Sequence, residues 1–97
     1  MTGSRIVALG HYQPPRVVTN DEIAQLVDTN DAWIRDRVGI VTRRIADSET
    51  VSDMAAAAAD KALANAGLTA DDIDLVVVAT CTAIDRSPNV ACRVAAR

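Results

Sequence analysis

Five consecutive apolar residues, Leu75 to Ala79, constrain this chain more than anything else in it. A β-prone run with no polar gap reads as a strand covered on both faces, central to a sheet with layers on either side. The stretch before it is a helix former. Thr50 to Asp53 matches the Ser/Thr-x-x-acid capping pattern, and MAAAAADKALANAG continues until Gly67 supplies a stop. Alanines 55–59 leave almost no side-chain bulk, so a neighbouring strand or helix can approach closely there. Thr69 to Asp72 repeats the capping pattern and suggests a single turn that delivers the chain into the apolar run. Helix followed by buried strand is the α/β pattern.

The remaining segments are shorter. Residues 5–10, RIVALG, read as a first strand ended by Gly10, and Gln13-Pro14-Pro15 then forces an extended turn. Asn20 reads as the cap of a short helix over DEIAQLV, with Ile23, Leu26 and Val27 on one face. Asn30 repeats the device before DAWIRDR, where Gly39 can end the helix in the left-handed conformation. Residues 40–46, IVTRRIA, read as extended. Ser87-Pro88 offers a cap and a proline at the first helical position for NVACRVAAR. A strand covered on both faces needs more partners than these segments supply in 97 residues. The expected fold is therefore part of a layered α-β-α architecture, incomplete as an independent core. Produced alone, such a chain should melt without cooperativity.

Several function classes are disfavoured. Ten basic against 13 acidic residues give a formal charge of −3, with no basic block to track a phosphate backbone, so nucleic acid is not an expected partner. No run approaches a membrane span, and MTGSRIVALGHYQPP lacks the apolar stretch and small-residue cleavage site of a secretory signal, which makes the cytoplasm the expected location. His11 has no ligand pattern around it, so no metal site is expected. Cys81 and Cys92 lack paired spacing and read as small buried residues.

One helix has spare chemistry. Thr29, Trp33 and Arg37 are spaced by four, so a helix reaching back to Thr29 would align them along one stripe. An indole can stack a purine, a guanidinium can pair with phosphate oxygens, and a hydroxyl can bond a base edge. The same spacing also fits Trp33 plugged into a core with its neighbouring charges solvated. Spacing alone leaves both readings open.

The ordered motifs resemble the N-terminal portion of the 3-oxoacyl-acyl-carrier-protein synthase III (beta-ketoacyl-ACP synthase III) family, condensing enzymes of the thiolase fold. They are G-x-Y-x-P at Gly10 to Pro14, V-x-T-N at Val17 to Asn20, and V-D-T-x-D-x-W-I-x-x-R-x-G-I at Val27 to Ile40. E-T-V-S at Glu49 to Ser52, A-G at Ala66 and Gly67, V-V-A-T at Val77 to Thr80 and P-x-x-A-C ending at Cys92 complete the series. The resemblance implies that residues 1–97 form the N-terminal portion of the first thiolase-like half, with the catalytic remainder elsewhere. It implies a decarboxylative Claisen condensation in which an acyl group passes from coenzyme A to a cysteine and then to a malonyl group on acyl carrier protein. Trp33 would stack on the adenine, Thr29 would contact the base and Arg37 would lie at the nucleotide phosphates. Coenzyme A would come and go as the acyl carrier of the substrate, and a homodimer is implied.

The family's cysteine, histidine and asparagine match no position here, so this chain alone should be inactive and no catalytic residue is assigned. Ser87 stands where many relatives carry a large aromatic that closes the partner's acyl pocket. That change points to a starter other than acetyl, in fatty-acid or polyketide initiation. The competing reading is a non-catalytic module that binds coenzyme A or dimerises without the catalytic half.

Overall fold

The computed structural model describes residues 3–83 and 89–97, which form two compact units. One is Gln13–Ser48; the other holds the described residues of Met1–Tyr12 and Glu49–Arg97.

Within Gln13–Ser48, strand β1 (Val17–Thr19) pairs antiparallel with β2 (Thr42–Arg44), placing Val18 opposite Arg43. Cross-strand partners share a face, so the buried Val18 and the half-buried Arg43 look the same way. Helix α1 (Asn20–Ala24) follows β1 directly. Its cap is Thr19, whose hydroxyl accepts the Glu22 N–H at 3.2 Å. Asn20, expected as the cap, instead begins the helix and is buried, because its longer side chain reaches inward to distant partners. Ile23 is half-buried, while Leu26 and Val27 lie exposed beyond the helix end, so the expected apolar face stops after one turn. Helix α2 (Asp31–Val38) is bounded as its sequence predicts: Asn30 caps it, and Gly39 closes it at φ 75°. Val18 and Ile34 are this unit's buried apolar residues.

The other unit is organised by α3 (Val51–Ala66). Thr50 and Asp53 form the reciprocal box, with Thr50 N–H donating to Asp53 Oδ2 at 3.0 Å and Asp53 N–H to the Thr50 hydroxyl at 3.2 Å. Gly67 takes φ 70°, which lets the Leu68 N–H reach back to the Leu63 carbonyl at 3.0 Å. The alanines invite the close approach their size predicts. A Cβ on Gly10 would collide with the Ala58 carbonyl oxygen and the Ala62 backbone nitrogen, so the Gly10 backbone rests directly on α3. Asn65 Nδ2 pins the neighbouring Leu9 carbonyl at 2.8 Å. One 3-10 turn (Ala70–Asp72) precedes the apolar run, as the second capping pattern suggested.

Helix α4 (Val90–Ala95) packs on α3 and buries Val90. Its cap is Asn89, whose side chain accepts the Cys92 N–H at 3.1 Å. The Ser87-Pro88 cap expected for this helix lies outside the described residues, and the helix starts two residues later. Cys92 is exposed because positions 90 and 94 face α3, leaving position 92 on the far side of the helix. Cys81 is exposed as well, so neither cysteine is the buried residue expected.

The two expected strands differ most from the sequence reading. Residues 5–10 and 75–79 carry no strand assignment, since a strand requires a hydrogen-bonded neighbour and no described backbone pairs with either. Val76 and Val78 are half-buried, whereas Leu75 and Val77 are 79% and 80% exposed. The apolar run is thus covered on one face and open on the other. Among the described residues no helix is long and apolar enough to cross a membrane.

Candidate functional site

The chemistry-bearing helix is α2, and local sequence accounts for its geometry. Asn30 adopts extended backbone (φ −152°, ψ 164°), and its Oδ1 accepts the Trp33 N–H at 2.8 Å. Its carbonyl takes the first helical bond, from the Ile34 N–H at 3.1 Å. Asp31 accepts the Arg35 Nε–H at 2.9 Å, one turn on. The Gly39 N–H closes the far end on the Arg35 carbonyl at 2.9 Å.

Ile34 is the one buried side chain of α2, and its neighbour Trp33 is 55% exposed. Trp33 therefore does not plug a core in this structure. The Arg37 guanidinium carbon lies 5.5 Å from the indole centroid, a cation–π contact between residues one turn apart. Among the described residues Arg37 has no carboxylate partner, so its charge stays available to an anion.

Thr29 does not join this stripe by helical register. The helix begins at Asp31, with Asn30 as its cap, so Thr29 precedes both and the condition for three aligned side chains is not met. Its hydroxyl oxygen is buried and lacks a hydrogen-bond partner among the described residues. An orphaned buried hydroxyl is uncommon because it forfeits its hydration, and it marks a place with unused bonding capacity. Ser87, the fourth candidate, lies outside the described residues.

Sequence reasoning missed the polar centre behind α2. Asn20 is 1% exposed and is the largest fully buried side chain of the described residues. Its Nδ2 donates to Asp31 Oδ1 at 2.7 Å and to the Ile40 carbonyl at 2.8 Å, while its Oδ1 accepts from Arg43 Nη2 at 2.8 Å. Arg43 Nη1 is buried without a partner among the described residues. The Arg35 hydrogen bond, followed by that from Asn20, holds the Asp31 carboxyl below its ordinary value. The V-x-T-N motif contained the signal, but a capping role was the nearer local explanation for its asparagine. His11 lies in the other unit, beside Lys61 and Asn65 in an open cleft. No group of three or more metal-ligating side chains occurs among the described residues.

The solved structures similar to this chain share one α/β scaffold. The 3-oxoacyl-[acyl-carrier-protein] synthase III of Aquifex aeolicus superposes with a TM-score of 0.92 at 45% identity, over 97% of this chain and 30% of that one. The priming beta-ketosynthase of the R1128 polyketide pathway gives 0.91 at 40% identity, over 95% and 28%. The fold is thus part of the thiolase-like architecture of condensing enzymes.

In sequence, beta-ketoacyl-[acyl-carrier-protein] synthase III 4 of Streptomyces coelicolor is 68% identical over 96 residues, 98% of this chain and 30% of that protein. Synthase III 2 of Streptomyces avermitilis is 64% identical over 98 residues, 100% and 31%. No family model matches. Over its own length the chain is similar in sequence and in structure to beta-ketoacyl-[acyl-carrier-protein] synthases III. It spans about 30% of the length of the curated relatives it matches.

Proposed function

We propose that this chain is part of a condensing enzyme that takes an acyl group from acyl-CoA and joins it to malonyl-acyl carrier protein with loss of carbon dioxide. In this reading residues 1–97 are the N-terminal portion of the first thiolase-like half, and the cysteine, histidine and asparagine that make and break bonds lie on other residues of the protein. Coenzyme A is a substrate carrier. The active form is a homodimer in the cytoplasm.

The observation that carries the reading is the exposed Trp33 ring, mounted on a helix capped at both ends and faced by Arg37 at 5.5 Å. A flat apolar ring beside an unpaired guanidinium suits an aromatic base attached to phosphates. The Thr29 hydroxyl, buried and without a partner among the described residues, would meet a polar group on that base by rotating outward. Thr29, Trp33 and Arg37 would hold the nucleotide end of coenzyme A while the thioester reacts elsewhere. Ser87 would border the acyl pocket, where a hydroxyl in place of an aromatic ring leaves room for a starter other than acetyl, in fatty-acid or polyketide initiation.

Trp33→Ala in the complete enzyme tests the nucleotide assignment. Base stacking on an aromatic side chain contributes about 1–3 kcal/mol, so KM for acyl-CoA should rise about tenfold or more. KM for malonyl-acyl carrier protein should hold. Equal losses for both substrates would return Trp33 to a packing role. Competing acyl-CoAs against the same enzyme tests Ser87, and strict acetyl preference rejects the wider pocket.

A further inference from the structure

We propose that Asn20 is a positioning residue whose buried amide fixes where α2 presents Trp33 and Arg37. The inference rests on the coenzyme reading of that helix, but its evidence is the hydrogen-bond geometry behind it. Asp31 is the first residue of α2, and Ile40 is the first after its Gly39 cap. A single Asn20 amide nitrogen donates to both, at 2.7 and 2.8 Å. An amide has two N–H donors, so both are committed and neither tie can swing away without orphaning one. The amide oxygen takes Arg43 Nη2 at 2.8 Å, which is the guanidinium's one hydrogen bond among the described residues and joins the amide to β2.

A helix of eight residues has little stability of its own, so its direction is set by what grips it. Ile34 is the side chain of α2 buried against the rest of the unit. Its contact is apolar and non-directional, and it resists rotation or sliding weakly. The Asn20 ties are directional and sit at opposite ends of the helix. Asn20 therefore touches no ligand itself; it acts through α2, holding the indole and guanidinium where an incoming nucleotide meets them. A misplacement near 1 Å in such a constellation can cost up to about a hundredfold.

The test uses the complete enzyme labelled with 5-fluorotryptophan, with the Trp33 resonance assigned by its loss in Trp33→Phe. Asn20→Ala should displace that resonance and raise KM for acyl-CoA about tenfold, with kcat within about twofold and KM for malonyl-acyl carrier protein unchanged. Asp31→Ala, a change at a half-exposed position, removes one tie and should move both readouts the same way. Asp31→Asn keeps an acceptor for the amide and should restore them. Arg35→Ala breaks only the Asp31 ion pair and should leave both unmoved. If Asn20→Ala does not fold, the Asp31 series decides.

An unshifted Trp33 resonance and unchanged KM in a folded Asn20→Ala or Asp31→Ala enzyme would overturn the proposal, provided Trp33→Ala raises KM. If Trp33→Ala leaves KM unchanged, the coenzyme reading has failed and the functional half of the proposal goes with it. The resonance separates the two failures, because it reports the tie whatever ligand the helix meets.

Discussion

The two units of this chain solve the same problem, holding a helix in place with few large apolar residues, in opposite ways. In Gln13–Ser48 the organising group is a buried amide whose three hydrogen bonds reach α2, the turn after it and β2. In the unit built on α3 the organising property is smallness: alanines and Gly10 let backbones meet with no side chain between them. Hydrogen bonds fix direction and tolerate modest volume change. Close backbone approach fixes distance and tolerates no added atom.

The contrast yields paired substitutions, read by denaturant midpoint in the complete protein. Asn20→Leu keeps the volume nearly constant but deletes both donors and the acceptor, stranding the Arg43 guanidinium and the Ile40 carbonyl. It should destabilise by about 3 kcal/mol, the scale of several lost bonds with buried groups left unsatisfied. A neutral result would mean that this unit is held by volume, and the contrast would collapse. Gly10→Ala adds one methyl group against the Ala58 and Ala62 backbone, which cannot move aside as a side chain could. The expected loss is about 2 kcal/mol, and Gly10→Ser should match it because size alone matters there. A serine milder than alanine would show that a polar partner is reachable and that smallness is not the constraint.

Thr50→Ala asks how much of α3 depends on its cap. The hydroxyl satisfies one otherwise orphaned N–H, so about 1 kcal/mol should be lost. Thr50→Ser should recover most of it. No recovery would assign the loss to the threonine methyl group and its packing.

The same contrast explains what the sequence made legible. Thr50-Asp53, Asn30, Gly39 and Gly67 were readable because caps and left-handed stops act within four residues of themselves. The close approach to the alanines was readable as an opportunity, and Gly10 occupies it. Asn20 was misread because its partners stand 11, 20 and 23 residues away, and nothing local separates a capping asparagine from a buried one. Residues 75–79 were readable as apolar but not as half-open, since composition says which surface avoids water and not which backbone will pair with it. Of the three residues spaced by four, the contact between Trp33 and Arg37 was legible from i, i+4 spacing. Thr29 was not, because the Asn30 cap ends the register before reaching it.

The smallest expected effect concerns acid. Asp31 is held below its ordinary value by the Arg35 hydrogen bond and then by Asn20, and Asp53 by the Thr50 backbone N–H, then the Thr50 hydroxyl, then Arg97. Where folding depresses a carboxyl's pKa, the unfolded chain binds the proton more readily. The stabilisation is therefore fully present above the unfolded value near pH 4 and is lost as pH falls through the lower folded value. Both groups are partly exposed, so solvent screening keeps each contribution small. Asp31→Asn and Asp53→Asn should each flatten the acid limb of a stability-against-pH curve by slightly lowering the plateau above about pH 6, leaving the most acid end where it was. The Asp31 change should also matter less in an Arg35→Ala background, since the largest cause of its shift is gone. An acid limb unchanged by either substitution would place the proton-linked stability in other carboxylates and leave the amide hub and the α3 cap uncoupled from pH.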